Sequence, residues 1–164
     1  MSRSGYSDDW DEDQWASIRW RGAVKAALRG KRGQAFLREL ATAMDAMPVK
    51  ELVSNELEAD GQHCALGTVG HARGIDLAAI DPEDWGAVAK AFGIAETMAR
   101  EIMYENDESV DNERRIHVEI CGPMRRFERH DRTAFVPDET ADRRRWQYMR
   151  NWVQQHITQG APNE

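Results

Sequence analysis

The sequence predicts a mainly α protein, a compact bundle of five or six short helices carrying a small β-hairpin-like insert. Three observations lead there. Apolar residues recur at three- and four-residue spacing through most of the chain, and glycine or proline interrupts them at helix-length intervals. Period-two alternation of the strand kind is clearest in one stretch, residues 114–120.

At 164 residues, with 41% hydrophobic and 31% charged side chains, the chain reads as one globular domain able to bury a core. The domain is expected over residues 14–157, with the insert at about 110–139. Residues 1–13 hold Asp8, Asp9, Asp11, Glu12 and Asp13 around Trp10, and read as a disordered acidic arm. Residues 158–164 read as a frayed tail. No apolar run approaches the roughly 18 residues that cross a bilayer, and no leader-like segment is recognised, so a cytoplasmic protein is expected. Two cysteines, Cys64 and Cys121, are too few for a disulfide framework.

The first helix is expected at residues 14–29, with Trp20, Ala23, Val24 and Ala27 on one face and Arg21, Lys25 and Arg29 on another. Residues 30–33, Gly-Lys-Arg-Gly, break it. A second helix follows over about 33–47, burying Phe36, Leu37, Leu40, Met44 and Met47, and Pro48 closes it. Residues 51–58 are expected as a short strand leading into the turn Asp60-Gly61. In HCALGTVGHARG the small residues suit a helix that approaches its neighbours closely and ends at Gly74.

Residues 81–107 read as two helices joined at a glycine. Asp81 is the expected N-cap, Pro82 the first helical residue, and Gly93 the left-handed residue that ends the first helix. The second helix starts near Ala95 and buries Met98, Ala99, Ile102 and Met103, with a loop expected over 106–112. The strand at 114–120 places Ile116, Val118 and Ile120 on one face, with a second strand near 133–136. A last helix runs over about 140–157 on the stripe Trp146, Met149, Val153 and Ile157.

Charge is segregated within a net −7. Every charged residue from 14 to 38 is basic, acids dominate 39–113 against Lys50, Arg73, Lys90 and Arg100, and bases prevail again afterwards. Arg19, Arg21, Lys25, Arg29, Lys31 and Arg32 beside Trp20 form a candidate basic patch for nucleic acid, with Trp20 as a stacking face. Arginines of the last helix would extend it. Lys31 and Arg32 at a helix start also suit an anion, although such a turn arises without any ligand.

Other chemistries find little support. The spacing across Gly93 is similar to a helix-turn-helix, but Glu96, Glu101, Glu105 and Asp107 on the would-be recognition helix oppose phosphate. Cys64 and His71 lie about 10 Å apart along a helix, too far to share an ion unaided, so no metal and no cofactor is expected. No phosphate loop, nucleophile elbow or metalloprotease helix is present. An enzyme built near Cys64 or His117 remains an alternative, with binding the favoured expectation.

The order Cys64-Ala65-Leu66-Gly67, then Phe92-Gly93-Ile94, then Ile102 and Asn106-Asp107 resembles small helical proteins of unknown function encoded in phages and prophages. The segments RWRGAVKAALRGKRGQAFLREL and WQYMRNWVQQHI are similar to the beginning and end of such chains. That resemblance implies phage origin and no mechanism. Within it Asn106 and Asp107 are expected to cap the helix end or its loop through side-chain bonds to backbone. The functional expectation is a non-enzymatic accessory protein that binds a protein of the host or its defence system in the host cytoplasm, inhibition being one outcome of such binding. Nucleic-acid binding through the basic first helix and the 30–33 turn is the alternative.

Overall fold

A computed structural model describes residues 3–6, 14–119 and 131–159. Among these, six α-helices are joined by short loops, and two small antiparallel strand pairs sit between them: α1 (Gln14–Arg29), α2 (Lys31–Ala46), β1 (Glu58–Ala59), β2 (Gln62–His63), α3 (Ala65–Arg73), α4 (Trp85–Phe92), α5 (Glu96–Glu108), β3 (Glu113–Glu119), β4 (Asp131–Pro137) and α6 (Ala141–Gln159). The fold is mainly α with a hairpin, as the periodicity predicts. No helix among the described residues is long and apolar enough to cross a membrane.

The core follows from the helical stripes. Leu37, Leu40 and Met44 of α2, Val69 of α3, Met98, Ile102 and Met103 of α5, and Met149 and Val153 of α6 are fully enclosed. Full burial of one such side chain contributes about 1.5–3 kcal/mol. Helix α2 packs against α3 and α6, α4 against α5, and α1 against α2 and α5. Close approach needs the glycines of α3: a Cβ on Gly67 would lie 1.9 Å from the Leu57 carbonyl oxygen.

Several boundaries differ from the sequence expectation, each for a local reason. Helix α2 starts at Lys31, so Gly30 alone forms the break. Gly33 is inside the helix, where a Cβ would stand 2.0 Å from the Ala27 oxygen and keep α1 and α2 apart. Helix α4 begins at Trp85 with Asp84, not Asp81, accepting from a first-turn amide, Ala87 N at 2.9 Å. Asp81 instead accepts from Glu83 N and turns the chain before the helix.

The strand expected over 51–58 shortens to Glu58–Ala59, paired with Gln62–His63 across Asp60 and Gly61, both at positive φ. Residues 52 and 53 are tied elsewhere, Leu52 N to Asp142 O and Val53 N to His63 O. Arg145 of α6, wholly buried, donates to Leu52 O, Asp142 and Asn112 and so fixes this loop. The loop expected from 106 begins later, because α5 continues to Glu108.

Strands β3 and β4 pair in register from Glu113↔Pro137 to Glu119↔Asp131. Ile120, Cys121 and the remainder of the insert up to residue 130 lie outside the described residues. The acidic cluster at 8–13 and the end of the tail from 160 also lie outside them. Within the arm, however, residues 3–6 depart from the expectation of a free segment. Arg3 and Ser4 are buried, because their polar groups find partners on α4 and α5.

Candidate functional site

The most concentrated polar chemistry sits at the C-terminal end of α5. Asn106 and Asp107 fall in its last turns with their side chains turned inward. The Asn106 Oδ1 accepts from Ala65 N at the start of α3, and its Nδ2 donates to Val53 O and to Asp107 Oδ1. Asp107 also accepts from Asn55 N, where Asn55 adopts φ 66°. One residue pair thus fixes the 53–55 loop and the entrance to α3.

Asp107 is matched by Arg3, whose Nε and Nη2 donate to its two carboxylate oxygens at 2.6 and 3.1 Å. Burial disfavours the guanidinium charge, yet the nearby Cys64 and Asp107 raise its pKa above the ordinary arginine value. Cys64 is 1% exposed and caps α3, its Sγ accepting from Gly67 N. A free thiol in this position packs as a small core residue.

Residues 3–6 continue as a strap over α4 and α5. Trp85 Nε1 donates to Arg3 O at 2.6 Å, and Arg100 Nε donates to Ser4 O at 2.7 Å. The Arg100 guanidinium lies over the rings of Trp85, Trp20 and Tyr6, at 3.9, 4.4 and 5.4 Å from their centres. Tyr6 donates its hydroxyl to Glu101 and receives the Trp20 indole N–H. Burial, more than any other influence, raises the pKa of both Tyr6 and Glu101.

This arrangement changes the basic patch. Trp20 commits its indole N–H to Tyr6 and one ring face to Arg100, contacts that compete with the stacking role the sequence suggested. Arg21 faces Glu101 electrostatically. Arg19, Lys25, Arg29, Lys31 and Arg32 are exposed, and the last four make no hydrogen bond or ion pair among the described residues. Of the last helix's arginines, Arg145 is buried, Arg150 grips Asp45 and Arg144 pairs with Asp138, while Arg143 is exposed. Gly93 ends α4 at φ 68° and takes no part in either cluster.

A third feature was less visible in the sequence. Strands β3 and β4 pack on each other, and no helix makes more than a glancing contact with either. Every described side chain between residues 113–118 and 133–137 is exposed or half-buried. One face pairs Arg114 with Val136 and Ile116 with Ala134. The other pairs Arg115 with Phe135 and His117 with Thr133. Phe135 is 67% exposed. Among the described residues each strand also has an unpaired backbone edge.

The hairpin and the basic turn stand at opposite ends of α6. Asp138 N bonds Asn112 O at the hairpin base, whereas Gln34 at the start of α2 donates to His156 O. Residues 141 to 156 of one helix separate those points by about 22 Å. They are two surfaces, not one. No group of three or more potential metal ligands occurs among the described residues.

No protein-family model, curated protein or solved structure matches the chain.

Proposed function

We propose that this is a non-enzymatic binding protein that acts on another protein and engages it through the β3–β4 hairpin. In keeping with the phage-type resemblance of its Cys-Ala-Leu-Gly and Asn-Asp segments, the partner is a protein of the host or its defence system. The observation that carries the reading is the exposure of both hairpin faces. A two-stranded ribbon with little packing behind it is marginal in water, and its free edges and exposed Phe135 gain most from a partner that covers them. Affinity capture from nuclease-treated host lysate tests it. Wild-type protein recovers a partner that Phe135→Asp does not, and equal recovery by both overturns the reading.

A second reading, nucleic-acid binding, is favoured by the four exposed cations Lys25, Arg29, Lys31 and Arg32, which lack partners among the described residues. Titration with mixed oligonucleotides at low and high salt distinguishes it, since phosphate contacts weaken steeply with salt.

A further inference from the structure

We propose that the groove formed by Trp20, Trp85, Arg100, Glu101 and Asp107 is a recognition site for a short, turned peptide of the pattern Arg-Ser-Gly-Tyr, occupied in this structure by residues 3–6 of the chain itself. The site does not draw on the hairpin or on the function proposed for it.

Each position of the tetrapeptide is read by a different group. Asp107 takes the arginine in a two-point grip. Trp85 and Arg100 take the main-chain carbonyls of Arg3 and Ser4, and Ser4, wholly buried with its hydroxyl accepting from Tyr6 N, restricts the second position to a small residue. Gly5 adopts φ +68°, and a Cβ there would lie 2.2 Å from Trp85 Cζ2, so the third position selects glycine. The Tyr6 ring meets Trp20 edge-on at 5.8 Å and Tyr104 at 4.9 Å, while its hydroxyl reaches Glu101.

The groove also needs a guanidinium. Asp107 is buried in the last turn of α5, where the helix dipole disfavours negative charge. Without Arg3 it is left as an uncompensated buried carboxylate, and a cation of the same shape restores the balance. A free peptide of this pattern makes the same contacts, so it competes mainly against the high local concentration that the tether gives residues 3–6.

The test uses the full chain carrying Arg3→Ala and an amidated synthetic peptide of residues 1–8. The peptide is expected to raise the Tm of the variant saturably, and its own Arg3→Ala version to bind at least tenfold more weakly. Wild-type protein, with its groove filled, responds least. If Arg3→Ala does not fold alone, recovery of its helical circular dichroism on adding the peptide counts as binding, and Tyr6→Ala provides a second weakened strap. Equal effects of the two peptides, or no effect on either variant, overturn the proposal.

Discussion

Arg3 and Asp107, 104 positions apart in the chain, meet through two hydrogen bonds in the interior and join the N-terminal segment to the end of α5. Their side chains are 3% and 1% exposed, so water does not replace a missing partner. Arg3→Ala is expected to cost about 3–5 kcal/mol, because the buried carboxylate keeps its Asn55 and Asn106 donors but loses its countercharge. Replacing both residues by apolar ones of similar size should cost less than that single change, although Asp107 also holds Asn55 N. Urea denaturation of the two variants against wild type measures the difference.

The Tyr6–Glu101 contact gives the strap a pH dependence. Burial foremost, with Glu105 adding and Tyr6 opposing, raises the Glu101 pKa above its ordinary 4.5. The folded state then binds more protons than the unfolded one, so this group's contribution to stability falls as pH rises from 4.5 through the folded value. Glu101→Gln keeps an acceptor for Tyr6 and removes that decline. Melting curves of the two proteins are expected to diverge with rising pH in favour of the variant; parallel curves contradict the assignment.

His63 acts in the opposite direction. Burial first, then the neighbouring His71, lowers its pKa below 6.5, against a weaker pull from Glu58. The rings of His63 and His71 are 4.6 Å apart. The folded state resists protonation, so stability is retained above 6.5 and lost as pH falls through the folded pKa. Titration of the His63 ring by NMR should show an upward movement in His71→Gln.

Gly67→Ala tests the close packing of α3. Its Cβ would collide with the backbone oxygen of Leu57, which has no flexible end to swing aside. A loss of about 1–3 kcal/mol is expected in chemical denaturation, opposite to the gain that alanine gives in an open helix position.

Much of the fold is legible in the sequence because it rests on local rules. The stripes of α2, α5 and α6, the left-handed ends at Gly74 and Gly93, and the Asp60-Gly61 turn all follow from residues within one or two turns of each other. On α1, by contrast, Ala23, expected on the inner face, is exposed and Leu28 is buried instead. The site is less legible because its partners are distant in sequence. Nothing near residue 3 shows that Arg3 belongs to Asp107, and the acids that follow it suggest a solvated arm. Trp20 looks available beside six cations until Arg100 and Tyr6 arrive from elsewhere in the chain. Arg145 looks like surface charge on a basic helix, yet it is the largest fully buried side chain among the described residues, drawn in by Leu52 O. The alternation at 114–120 signals a strand, but not that its two faces stay exposed.

Phe135→Asp separates contact from stability. Phe135 is 67% exposed, so the substitution should leave folding stability within about 0.5 kcal/mol of wild type. Capture of the partner should nevertheless be lost. A large drop in Tm would mean that Phe135 packs within its own chain.

The most direct measurement is hydrogen–deuterium exchange of the protein with and without its captured partner. The expected result is slowed exchange along Glu113–Glu119 and Asp131–Pro137, with Lys25, Arg29, Lys31 and Arg32 unchanged. Protection at those four cations with a hairpin that exchanges as freely as before would contradict the account and move the binding surface to the basic turn.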